Sequence, residues 1–239
     1  MSLGVSRRIC RPSPPGALRG AFLVARKDLL IEIRTREIVT TAGFFAALVA
    51  ILTSVAFYSG PDTTRRVAPG AIWLAEAFAS VLALGRTWQR ERDDGALLAL
   101  LVSPLERGSI FLGKAIGIFA FVGVIVALVV PIVALLFHVD LLDVGPKLAV
   151  VLCLGTVGVA GTGTLFGVMT VRTRARDLVF AAVLFPLLSP ALICGVAATR
   201  EIFAGAPIED LTDYLLLLGV FDLVSVGLGL MLFGALVED

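Results

Sequence analysis

The chain has 239 residues, 58% of them hydrophobic and only 16% charged, with 20 lysines and arginines against 19 aspartates and glutamates for a formal net charge of +1. Its mean hydropathy is +0.99. So little polar surface cannot coat a soluble all-helical protein, and so even a charge balance gives no ground for nucleic-acid binding. Three cysteines without CxxC spacing (Cys10, Cys153, Cys194) argue against a disulfide scaffold, a metal site or covalent haem attachment.

In chain order, residues 1–16, containing RPSPPG, read as a disordered cytoplasmic tail. Residues 17–37 form an amphipathic helix. Leu18, Ala21, Phe22, Ala25, Leu29, Leu30 and Ile33 recur at helical spacing, and Arg19, Arg26, Lys27, Glu32 and Arg36 fill much of the other side. Such a helix is expected to lie in the headgroup plane as an elbow, or else to fold onto the cytoplasmic face of the protein. Residues 38–239 form the membrane domain, with spans at about 39–58, 67–85, 115–137, 148–169, 178–199 and 215–237. A hydrocarbon layer of roughly 30 Å takes about 20 apolar residues of helix, and each run is near that length. The first run is too long for a signal-peptide core and lacks a clear cleavage site, so no cleavable signal is expected.

Charge orients the spans. Of the 20 basic residues, only Arg65, Arg66, Lys147 and Arg200 fall on one side, and the remaining 16 on the other. The positive-inside rule then puts both termini in the cytoplasm. The fold class is therefore an all-α membrane protein of six transmembrane helices with an N-terminal interfacial elbow and a short cytoplasmic helix between spans 2 and 3.

That short helix lies in the loop RTWQRERDDGALLALLVSPLERGSI, at about residues 95–103. Asp93 or Asp94 is expected to cap it and Pro104 to stop it. Leu97, Leu98, Leu100, Leu101 and Val102 make it apolar but too short to span. It needs a surface to bury against, either the ends of its own spans or a groove on a second protein. The flanking charges Arg90, Glu91, Arg92, Asp93, Asp94, Glu106 and Arg107 suit a docking rim.

Catalytic constellations are not found. His138 is the single histidine, so no histidine pair and no Ser-His-Asp set can be assembled. GSIFLGKA, residues 108–115, approaches the phosphate-binding loop pattern. Ala115 stands where that loop has a magnesium-binding serine or threonine, and the segment leads into a membrane helix. The chain is therefore not expected to bind ATP by itself. Within the spans, Glu76 and Asp222 are carboxylates at membrane depth. There they should face protein or a water-filled cavity. Gly155, Gly158, Gly161, Gly163 and Gly167 make span 4 a candidate for close helix packing or dimer contact. Pro186 and Pro190 can bend span 5.

The stretch RVAPGAIWLAEAFASVLALGRTWQRERDDGALLALLVSPL resembles the characteristic segment of the CcmB family, the haem-exporter permeases of cytochrome c maturation. The matching features are Ala68, Pro69, Gly70 and Trp73; Asp94 and Gly95; Leu97, Leu100, Leu101 and Pro104; and Lys114 near the start of span 3. The chain departs from the family pattern at Gly85 and Leu98, where glutamate is common, and at Glu76, in a stretch usually apolar. The resemblance runs from about residue 17 to the end.

The resemblance implies a non-catalytic membrane subunit of a transporter in the bacterial inner membrane. ATP would be hydrolysed on a separate ABC ATPase subunit, CcmA-like, docked on Arg92, Asp93, Asp94, Gly95, Leu97, Leu100, Leu101 and Pro104. A second copy of the permease, a haem-handling CcmC-like membrane protein, a small CcmD-like subunit and a periplasmic CcmE-like haem chaperone would be partners, with membrane lipids around them. Haem would be the substrate, either exported or released with its chaperone. The residues alone also admit an ABC-2-type exporter for a lipid, polysaccharide or drug, and a non-transporting scaffold for haem-loading proteins.

Overall fold

The computed structural model describes residues 16–57, 60–93, 95–171 and 176–238. These form eight α-helices: α1 Ala17–Thr35, α2 Glu37–Ala56, α3 Pro61–Asp93, α4 Ala96–Val102, α5 Arg107–Phe137, α6 Leu141–Val171, α7 Arg176–Phe203 and α8 Thr212–Glu238, with a 3-10 turn at Ile208–Leu211 before the last. Among the described residues there is no strand. Six of the helices (α2, α3, α5, α6, α7 and α8) are long and apolar enough to cross a membrane, which makes this a multi-pass membrane protein. Of the expected tail, only Gly16 belongs to the described residues, as the N-cap of α1.

The helices overrun the apolar runs that announce them. The second span, expected to end at Gly85, continues to Asp93, and the third begins at Arg107 instead of Ala115. The 33 residues of α3 extend about 50 Å at 1.5 Å per residue, well beyond the roughly 30 Å hydrocarbon layer. Hydropathy measures only the length that lies in lipid. The backbone stays helical past it because the charged residues there find partners.

The expected elbow reaches residue 37, but α1 ends two residues earlier. Arg36 takes the left-handed conformation with φ 53°, and its N–H donates to the Glu32 carbonyl at 2.6 Å. The Glu32 side chain then accepts the Val39 N–H at 2.9 Å, satisfying a donor that the first turn of α2 leaves open. The two faces of α1 are also divided differently from the expected stripe. Ala21 and Ala25 turn inward together with Gly20, Val24, Asp28 and Glu32, while Leu18, Phe22, Leu30 and Ile33 remain exposed. The inward face lies on α5, where a Cβ at Gly113 would come 2.6 Å from the Ala21 carbonyl oxygen.

At the centre, α3 and α6 are enclosed by the other helices. Their main apolar cluster includes Trp73, Leu84, Phe121, Ile125, Leu148 and Leu184. A second cluster at the α4 end holds Trp88, Ile110, Phe111, Leu165, Val168 and Phe233. The glycines of span 4 are used inside the chain, where Gly155 faces Trp73, Gly163 faces Leu84 and Gly167 faces Trp88. All three partners stand on α3, so this face of α6 serves close packing between two helices of one chain. Pro186 and Pro190 lie within a continuous α7.

Candidate docking face and the ion-pair cluster beside it

At the end of the bundle where α3 leaves the apolar layer, α1, α3 and α5 are joined by a closed set of charges. Lys114 of α5, fully buried, donates to Asp28 of α1 at 2.7 Å and to Glu91 of α3. Lys27 reaches the same two carboxylates, Asp28 at 2.9 Å and Glu91 at 3.1 Å. Two ammonium groups against two carboxylates leave no net charge in the cluster, which is what allows it to be buried. Burial disfavours the Lys27 ammonium, but Asp28 and Glu91 outweigh that effect and hold its pKa above the ordinary value. A second set lies alongside: Arg90 pairs with Glu32 at 3.5 Å and with Glu37 at 3.1 Å, and Arg86 pairs with Glu37 at 3.6 Å.

Between the clamped ends of α3 and α5 sits α4. Asp93 does not cap it. Asp93 is the last residue of α3 and pairs with Arg92 at 3.3 Å, while Gly95 takes the N-cap position with φ 62°. A left-handed reversal between two helices favours a residue without Cβ over an aspartate. Asp94 lies outside the described residues. The helix ends as expected before Pro104, with Ser103 already extended at ψ 154°. Leu100 is half-buried against the second apolar cluster, whereas Val102 is 88% exposed. The side chains of Leu97, Leu98 and Leu101 lie outside the described residues. Within its own chain, then, α4 buries one flank and presents another.

The remaining expected residues lie deeper. Pro69 is buried within α3. The Trp73 indole N–H donates to the Thr199 hydroxyl of α7 at 2.9 Å, and its ring fills a slot that a Cβ at Gly155 or Gly195 would invade. Glu76 is buried and accepts the Thr156 hydroxyl at 2.9 Å. Asp222 is buried beside Gly158, two residues beyond Thr156 on α6. Both carboxylates thus face protein, as their depth requires, but no contact brings them to each other or to Lys114. GSIFLGKA is helical from Gly108 onward, with Gly113 spent on α1 and Lys114 on the ion pairs. His138 closes α5 in a left-handed turn with φ 54°. Asp140 accepts the Leu142 N–H at 3.0 Å, at the start of α6.

Reading the sequence singled out Lys114 and placed Glu91 on a docking rim, but it paired neither with the other and did not name Asp28. The available signal was Asp28 and Glu32, four residues apart and therefore on one face of an otherwise basic helix.

Residues 19–238 match the family described as CcmB protein. The chain belongs to the CcmB family. Its CcmB relatives include proteins named heme exporter protein B. That of Paracoccus denitrificans is 32% identical over 184 residues, covering 73% of this chain and 83% of the relative. That of Bradyrhizobium diazoefficiens is 29% identical over 184 residues, covering 75% and 81%. That of Pseudomonas aeruginosa is 27% identical over 189 residues, covering 78% and 83%. The CcmB match takes in all six candidate spans, α4 and nearly all of α1.

Proposed function

We propose that this CcmB protein is the membrane subunit of an ATP-driven complex that supports haem export, or the release of a haem-loaded chaperone, in cytochrome c maturation. A separate CcmA-like ATPase docks on α4 through Arg92, Asp93, Asp94, Gly95, Leu97, Leu100, Leu101 and Pro104. Both termini share its cytoplasmic side of the bacterial inner membrane, and α1 lies in the headgroup plane as an elbow. A second copy of the permease and CcmC-, CcmD- and CcmE-like partners complete the assembly. The haem assignment is supported by the names of the relatives.

The observation that carries the mechanical part is the position of α4 between two helices tied to a third. Because Lys114 joins α5 to both Asp28 of α1 and Glu91 of α3, a displacement of α4 is transmitted to three helices together. A rigid element with two arrangements is what coupling requires. The test is ATP hydrolysis by the reconstituted complex. Haem should stimulate it, while lipids and drugs without the porphyrin should not. Equal stimulation by all of them would reject haem as the cargo.

A further inference from the structure

We infer that the end of the bundle opposite the Lys114 cluster holds an anionic phospholipid, with an acyl chain in a slot between α3 and α7 and the phosphate against Arg65, Arg66 and Arg200. Two adjoining cavities form this site. One, of about 560 Å³, is walled by apolar side chains including Trp73, Leu74, Leu192, Ile193 and Val196, with Gly70 at its edge. The other, of about 660 Å³, is lined by Arg65, Arg66, Pro69 and Arg200. Arg200 and Glu201 border both, so the apolar slot runs into the basic mouth.

Charge complementarity selects the occupant. Of the four basic residues that the sequence assigns to this side, three converge on one mouth, with Glu201 as the carboxylate among them. All three guanidinium groups belong to exposed residues and form no ion pair among the described residues. The fourth, Lys147, instead donates to the Ala206 carbonyl at 2.7 Å. Arginines at headgroup depth pair with phosphate through two parallel N–H bonds. The slot opens sideways to the bilayer, since Leu74 is 43% and Ile193 68% exposed. Acyl chains can therefore enter it directly. Haem fits the lining less well. Among the described residues, no histidine, cysteine, methionine or tyrosine borders either cavity to ligate iron, and the indole N–H of Trp73 is already held by Thr199. The site also gives Pro69, Gly70 and Trp73 a shared role as its wall on α3. From the proposed function it takes only the orientation, which puts the site in the outer leaflet.

The test uses the full chain reconstituted in phosphatidylcholine vesicles containing a minor fraction of phosphatidylglycerol. The protein is extracted in mild detergent, and the retained lipids are counted by native mass spectrometry. Wild type should retain phosphatidylglycerol with an enrichment on the order of tenfold. The variant Arg65→Gln/Arg66→Gln/Arg200→Gln should retain both lipids equally. Gly70→Leu, at a position where a Cβ meets nothing within 4 Å, should fill the slot and lower total retention without lowering the melting temperature. Equal retention by wild type, or an enrichment that survives the triple substitution, overturns the proposal. Displacement of phosphatidylglycerol by inorganic phosphate at constant ionic strength would make this a free-anion site, and displacement by haem a haem site; either result also overturns it. ATPase association is read separately, so failure here leaves the proposed function standing.

Discussion

Lys114 and Asp28, 86 positions apart in sequence, meet at 2.7 Å where α5 crosses α1. With Glu91 and Lys27 they tie three helices together at the end of the bundle that carries α4. An ion pair removed from water contributes little net stability, yet removing one partner leaves the other charged and buried. Lys114→Met should therefore destabilise the protein by about 3–5 kcal/mol. Adding Glu91→Gln, which leaves Lys27 against Asp28 and restores the charge balance, should recover most of that loss. Thermal unfolding in detergent distinguishes this from a simple packing defect, which the added amide would not repair.

Lys27 gives the same cluster an alkaline limit. Its folded pKa is raised above 10.5, so its contribution is fully present below the unfolded value and is lost as pH rises through the folded one. The melting temperature should fall more steeply above pH 10.5 in wild type than in Lys27→Arg, whose guanidinium stays protonated there. Identical alkaline profiles would remove Lys27 from the cluster's electrostatics.

Trp73 offers a steric test. Gly195→Ala places a methyl inside its ring and should cost about 1–3 kcal/mol through overpacking. Trp73→Phe removes the ring that the methyl meets, along with the bond to Thr199. The double variant should therefore lose less stability than the sum of the two single losses. Strict additivity, measured by thermal unfolding, would show that the indole does not occupy this slot.

The sequence made some of this legible and not the rest. Length and apolarity announced six spans, and Pro104 marked the end of α4, because these are properties of a segment taken alone. The glycines of α6 signalled close packing, but periodicity specifies a face and never its partner, so Trp73, Leu84 and Trp88 could not be named. The overrun of α3 to Asp93 was hidden for a related reason, since its charged last turns become favourable only when Glu32, Glu37 and Lys114 arrive from other helices. Asp93 or Asp94 was expected at the N-cap because aspartate commonly serves there, but Gly95 holds that position, in the tight reversal between α3 and α4. Lys114 stood out through the family resemblance, as a lysine near the start of span 3, yet nothing local points to Asp28, 86 positions away.

The central claim is that α4 is the seat of an energy-supplying partner, and association with that partner tests it most directly. The chain and a CcmA-like ATPase are co-expressed, extracted in mild detergent and co-purified through a tag on the ATPase. Wild type should be recovered with the ATPase. Leu97→Asp/Leu101→Asp should still insert in the membrane, with an unchanged melting temperature, but should not be recovered. Full retention of the folded double variant would contradict the account.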